Sequence, residues 1–274
     1  METTQQEKEV ILNGSDLNPA QKNSGEKQVR IPKEAAIAMK QKFSETSRLL
    51  TENNIRFKEP YRLSVDNLED MLWINEDGED KYNEIRFYFI YYYSELNSRY
   101  VQLAQYDKTL YLAYTTCNNN STENFEHYTI YSATRQVKLL KEDFDALTAK
   151  YRSIVKRIID ARVPDNLQGN TDYIRIPRVE LLAYYAKISL YNQNNNSKKI
   201  QYIDISLAEA LDIRSVDEIE NLNEDKEKTI HYIKTKDYVP NQLTAIFDAI
   251  DENGNPVENL SYYDMNSLCP NQCP

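Results

Sequence analysis

Cysteine, glycine and histidine are all scarce in this chain of 274 residues, and each scarcity removes a class of chemistry. The three cysteines, Cys117, Cys269 and Cys273, are odd in number and do not read as a disulfide framework. The five glycines stand singly, so neither a phosphate-cradling P-loop nor a dinucleotide fingerprint can be written. Two histidines, His127 and His231, leave imidazole acid–base chemistry poorly supplied. Each stands beside a tyrosine in a predicted strand, an ordinary place for a surface histidine. There is no nucleophile elbow and no His-Glu-x-x-His. No catalytic residue and no cofactor can be named, so a non-enzymatic role is the favoured class.

Long apolar runs are also missing. The most apolar stretch, "IRFYFIYYY" from Ile85 to Tyr93, is about half a membrane span and contains Arg86. The opening "METTQQEKEVILNGSDLN" lacks the basic and apolar regions of a secretory signal. A cytoplasmic protein without a membrane partner is expected. Acids outnumber bases 43 to 33, for a net charge of −10. Such a field repels phosphate backbones and anionic lipid surfaces, and it disfavours nucleic acid as a partner.

What the chain does have is tyrosine, with 22 against seven phenylalanines and one tryptophan. A buried phenol is costly without a hydrogen-bond partner, and an exposed one is a rigid amphipathic contact. The ordinary expectation is tyrosine standing in for phenylalanine in half-buried strands.

The chain also echoes itself. "RIPKEAAIAMKQKF" begins at Arg30 and "RIPRVELLAYYAKI" at Arg175. Further landmarks follow in the same order: "YRLSV" and "IDISL", "EIRFYF" and "KTIHYI", "KTLYLAY" and "NQLTAIF", "HYTIYSA" and "NLSYYDM". The spacing drops once, before the fourth pair. Ser64 and Ser206 are plausible helix N-caps ahead of "DNLEDML" and "AEALDI", and "EIRFYF" and "KTIHYI" alternate as strands do. The Asn-Gly of "DENGNP" (Asp251–Pro256) signals a hairpin turn. The expected fold class is α+β: two tandem related modules, each a mainly antiparallel sheet with packed helices. The boundaries are a disordered polar tail at 1–28, copy one at 29–133, a linker at 134–173 and copy two at 174–274.

The linker "VKLLKEDFDALTAKYRSIVKRIIDA" (Val137–Ala161) predicts a long amphipathic helix. Its apolar stripe is Leu140, Phe144, Leu147, Tyr151, Ile154 and Ile158, with acids early and bases late. It is either a connector packed across the sheets or a seam for a homo-oligomer.

Two strings invite a metal. In "WINEDGEDKYNE" (Trp73–Glu84), placing Gly78 at position six of a calcium loop puts Asn75, Asp77 and Glu84 at ligand positions. Trp73, however, then falls where an aspartate is required. The tail "LCPNQCP" pairs Cys269 with Cys273, the metal or redox candidates here. A structural zinc would need further ligands, with Cys117, His127 and His231 the remaining sources. A redox pair is more often Cys-x-x-Cys.

The strands Ile85–Phe89 and Leu243–Phe247, the turn Asp251–Asn255 and the ending Leu268–Cys273 resemble a group of small Bacteroidota proteins. These are single modules with an "IRIYF" strand, an "LTLVLV"-type strand, a "D-x-x-G-N" turn and an "LCPP-x-C" ending. The likeness covers most of 29–133 and 174–274. This chain departs in having two copies, the first without the cysteine ending, and the resemblance brings no activity with it. The resulting expectation is a protein-interaction module with a protein partner. The alternative is a metal- or redox-linked protein using Cys269 and Cys273.

Overall fold

The computed structural model describes residues 29–73, 82–118, 128–131, 136–163, 169–222, 225–236, 238–265 and 267–269. In chain order, β1 (Val29–Arg30) leads into α1 (Lys33–Glu52), followed by β2 (Arg56–Phe57), β3 (Tyr61–Ser64) and α2 (Val65–Trp73). Then come β4 (Glu84–Tyr92), β5 (Thr109–Cys117), β6 (Tyr128–Tyr131) and β7 (Gln136–Leu139). A helical run follows as α3 (Lys141–Lys150), a π-helical segment (Tyr151–Lys156) and α4 (Arg157–Asp160). The rest is β8 (Tyr173–Pro177), α5 (Arg178–Asn194), β9 (Ile200–Glu209), α6 (Lys226–Lys236), β10 (Leu243–Asp251), β11 (Tyr263–Asp264) and β12 (Ser267–Cys269).

The class is α+β, with two sheets that are antiparallel apart from one parallel pair, β2 with β5. A five-stranded sheet runs β1-β11-β10-β9-β3, and a seven-stranded sheet runs β12-β8-β4-β5-β6-β7 with β2 beside β5. Each sheet draws strands from both halves of the chain. β1 and β3 complete the sheet built on β9–β11, while β8 and β12 complete the one built on β4–β7. The boundaries expected near residues 133 and 174 therefore do not separate the two sheets.

The Arg-Ile-Pro stretches do share a local form. Pro32 and Pro177 immediately precede α1 and α5 with nearly the same backbone angles, φ/ψ of −50/136° and −57/132°. Ser64 caps α2 as expected, its Oγ accepting the Asn67 N–H at 3.0 Å. Gly254 turns the chain with φ of +83°, closed by Asp251 N–H to the Asn255 carbonyl at 2.9 Å.

Three expectations fail for physical reasons. "KTIHYI" is helical: across Lys226–Lys236 the buried positions are Thr229, Tyr232 and Lys236, a helical spacing that the shorter alternating string conceals. His231 consequently lies on a helix, not a strand. "AEALDI" does not form a helix, and Ser206 is not a cap. Ser206 pairs with Ile246, and β9 continues to Glu209 opposite Leu243. A full-length neighbouring strand overrides local helix propensity there.

The linker helix starts later than expected, because Gln136–Leu139 is spent on β7. Its inward stripe is Phe144, Leu147, Tyr151, Val155 and Ile159. Ile154 and Ile158 are only half-buried. The π segment takes about 4.4 residues per turn, which rotates the buried face by one position. Phe144 meets Tyr88 of β4 edge-on at 5.0 Å, so this stripe is packed on the chain's own sheet.

β9 and β10 divide their residues by the two-residue period of a strand. Ile203, Ile205, Leu207, Ala245 and Phe247 join the larger core shared with the second sheet. Ala208 and Ile246 join a separate cluster with Ile31, Met39 and Tyr232, beneath α1 and α6. Between the sheets Phe87 meets Phe247 at 6.3 Å, and the Tyr61 hydroxyl donates to the Leu110 carbonyl at 2.8 Å. No described helix is long and apolar enough to cross a membrane.

Two outcomes follow for stability. Phe247→Ala should cost about 3–5 kcal/mol. Tyr61→Phe, which removes one hydrogen bond to the Leu110 carbonyl, should cost about 0.5–1.5 kcal/mol. Denaturant unfolding measures both, and an equal cost for the two would contradict the packing described. Secondly, β3 pairs with β9 only as far as Tyr61↔Ile205, and beyond it the Glu59 carboxyl accepts the Leu207 N–H. Although much of Glu59 is exposed, burial of its carboxyl end pushes its pKa from 4.5 to about 7. The folded state then holds this proton more tightly than the unfolded one. Its contribution is full below pH 4.5 and is lost as pH climbs through about 7. Glu59→Gln should flatten the stability decline between those values, as read from unfolding midpoints at pH 5, 6, 7 and 8.

Candidate functional site

The first turns of α1 carry Ala35, Ala36 and Met39 on the buried side. Two of these three side chains are small, so the helix lies close on the outer face of the five-stranded sheet. The chain from Leu211 to Tyr232 crosses the same face. It includes a 3₁₀ turn at Ile213–Glu218, then Asn221 in the left-handed region with φ of +60°, then α6. Asparagine tolerates that conformation better than most residues. Val216, Leu222 and Tyr232 plug this segment into the cluster under α1.

Between α1 and this segment runs an open groove formed by two hollows. One, of about 560 Å³, is bounded by Ile37, Ala38 and Lys42 on α1 and by Leu211, Glu218 and Ile219 opposite. The other, of about 740 Å³, lies between the start of α1 and α6, with His231 and Tyr232 on its far wall. Glu34 lines both, so they meet at that residue. Ile37, on the polar side of α1, is 39% exposed and lines the first hollow.

The bases around the groove are committed within the chain. Lys42 donates to the Ala210 carbonyl at 3.1 Å, and burial lowers its pKa. Arg30 donates to the Glu258 carbonyl at 2.7 Å, and Lys33 pairs with the Glu258 carboxylate at 3.6 Å. Lys226 pairs with Asp217, and Lys228 with Asp225, each at 2.5 Å. Arg214 holds the Asp212 carboxyl down to about 2 through side-chain and backbone hydrogen bonds. In contrast, Glu34, Glu218, Glu220 and Glu227 make no hydrogen bond or ion pair with any described residue. The groove therefore offers an exposed apolar side chain beside carboxylates that form no ion pair with any described residue.

The α6 wall is fixed from below. Asp264 of β11 is fully buried and accepts the Tyr232 and Tyr238 hydroxyls, the latter at 3.2 Å. Lys236 donates to the Asp264 backbone carbonyl at 2.9 Å and lies 3.5 Å from its carboxylate. Burial raises both phenols well above their ordinary range.

The residues singled out from sequence fall elsewhere. The Cys269 backbone sits in β12 opposite Tyr173. Its side chain and all of Cys273 lie outside the described residues, as do His127 and the stretch 74–81 of the calcium-like string. Glu84, the last ligand position of that string, opens β4 and instead pairs with Arg86 and Arg175 at 2.6 and 2.7 Å. Cys117 is buried in β5. Pairing registers place it three strands and four residues from Cys269, on the order of 20 Å, so it does not join that cysteine. Among the described residues no three His, Cys, Asp or Glu side chains gather as a metal cage.

Sequence reasoning passed over the groove, though two signals were present. Ile37 falls between Glu34 and Gln41 on the face opposite the buried stripe, and "DEIENLNED" (Asp217–Asp225) is a local acidic run. Comparison of the chain with protein-family models, curated proteins and solved structures finds no match.

The buried ion pair gives a test of the α6 wall. Lys236→Met should cost about 3–5 kcal/mol, because Asp264 loses its cation. Adding Asp264→Asn should recover part of that loss in denaturant unfolding.

Proposed function

We propose that this chain is a non-enzymatic protein-interaction module and that the groove along α1 is its docking surface. The observation carrying this reading is the combination of an exposed Ile37 lining the groove with Glu34, Glu218, Glu220 and Glu227 around it, none of which pairs with a described residue. A surface evolved only for solubility would intersperse its charges with bases, whereas here carboxylates outnumber bases around an exposed aliphatic side chain that lines a hollow. The groove walls are held by buried contacts on a sheet, so little ordering remains to be done when a partner arrives. Its shape also suits a linear segment better than a compact small molecule, since it is long, open and lined on two sides.

A photo-crosslinking side chain at position 37, introduced into the full chain in its source cells, tests this. The expected result is a discrete adduct whose crosslinked peptide maps to one protein. The same crosslinker at Val101, which is 73% exposed and lies on a 3₁₀ turn remote in sequence, should not give it. An identical pattern from both positions, or none from position 37, would overturn the reading.

A further inference from the structure

The occupant of the groove can be specified further, and this step rests on the interaction reading above. We infer that the groove takes a linear segment of a partner protein in which Lys or Arg residues flank one aliphatic side chain.

The apolar part of the argument comes from α1. Ile37, 39% exposed, lines a hollow of about 560 Å³ together with Ala38 and the opposing Ile219. That space accepts one branched side chain and leaves the rest open. The charged part comes from the rim. Glu218 and Glu220 lie across the hollow from Ile37, Glu34 stands where the two hollows join, and Glu227 continues the line along α6. Six carboxylates line the two hollows against four bases, and Lys33 and Lys228 among those bases are already in ion pairs, so a phosphate or a carboxylate entering the groove would meet an excess of negative charge. An entering ammonium or guanidinium would meet its complement. The net charge of −10 extends the same preference to longer range. From Lys33 to Lys42 the helix advances roughly 14 Å at about 1.5 Å per residue. About four extended residues span that length. A cation on either side of a central aliphatic residue then falls over the carboxylates when the anchor sits on Ile37.

The test uses the full chain and three fluorescent octapeptides read by anisotropy. One has two lysines on each side of a leucine, the second replaces the leucine with serine, and the third replaces the lysines with glutamates. Only the first should bind measurably, with affinity falling about tenfold or more between 50 and 500 mM salt. Charge reversal at the rim, Glu218→Lys with Glu220→Lys, should weaken it by about tenfold or more. Reversal of two exposed carboxylates away from the groove, Glu95→Lys with Glu252→Lys, changes net charge equally and should have little effect. Equal loss in the two double variants would mean that bulk charge alone attracts the peptide, and it would overturn the inference. So would preference for the glutamate peptide, or no binding by any of the three. Binding abolished by Ile37→Ser but unmoved by rim reversal and by salt would reject the basic specificity while leaving the groove as a docking surface. Circular dichroism of each variant separates lost binding from lost folding.

Discussion

A buried phenol must find an acceptor, and in this chain that requirement ties the layers together. The Tyr61 hydroxyl reaches from the five-stranded sheet to the Leu110 carbonyl in the other. Tyr151 donates to the Thr171 carbonyl at 2.6 Å, and Tyr184 donates to the Leu260 carbonyl at 2.8 Å. These bonds span 49, 20 and 76 positions of the chain respectively, and each phenol is nearly inaccessible to water. A phenylalanine at these positions would bury as much ring but would accept many slightly slid packings. The hydroxyl allows only those that keep an acceptor within reach, since an unmet buried polar group costs about 1–3 kcal/mol. Tyrosine here adds register as well as hydrophobic burial, which differs from its expected use as a half-buried substitute for phenylalanine.

The same demand for long-range agreement explains why neither half of the chain closes its own sheet. β9 is ten residues long and β10 nine, yet β3, their neighbour from the other half, contributes only four. The central antiparallel pair of each sheet, β9 with β10 and β4 with β5, leaves edges that its own half does not cover. Strands from the other half cover them, which reduces the exposed edge available for pairing with another chain. The polar network around Glu209 reinforces this arrangement. Its carboxylate accepts from Thr46 of α1 and pairs at 2.9 Å with Arg162, just beyond α4. Arg162 also reaches Glu45 at 2.6 Å, so the helical connector, α1 and β9 are fixed at one point.

Much of the local structure could be read from sequence where one short segment contains its own cause. The Ser64 cap needs only the α2 sequence that follows it, and the Gly254 turn needs only the residues from Asp251 to Asn255. β4, β5 and β10 carry enough β-branched and aromatic residues to be recognised as strands. Legibility ended where the deciding partner was distant. "AEALDI" extends β9 because β10 lies beside it, and "KTIHYI" is helical because the cluster under α1 needs Tyr232. The shift from Ile154 and Ile158 to Val155 and Ile159 depends on a π segment that no heptad count shows. The groove was less visible still, because its two walls are separated by more than half the chain.

The groove is what remains when two elements compete for one sheet face. α1 and the segment from Leu211 to Tyr232 both bury apolar residues on the outer side of the five-stranded sheet. Bringing them into full contact would bury Ile37 and remove the hollow. It would also press Glu34 toward Glu218 and Glu220, none of which pairs with a described residue, and dehydrating like charges together opposes that closure. The acids thus keep the groove open as well as giving it a sign. An arriving cation would relieve the repulsion and permit burial of Ile37 in the same event. Docking would then couple an electrostatic gain to a hydrophobic one, although the free chain cannot have the second without the first.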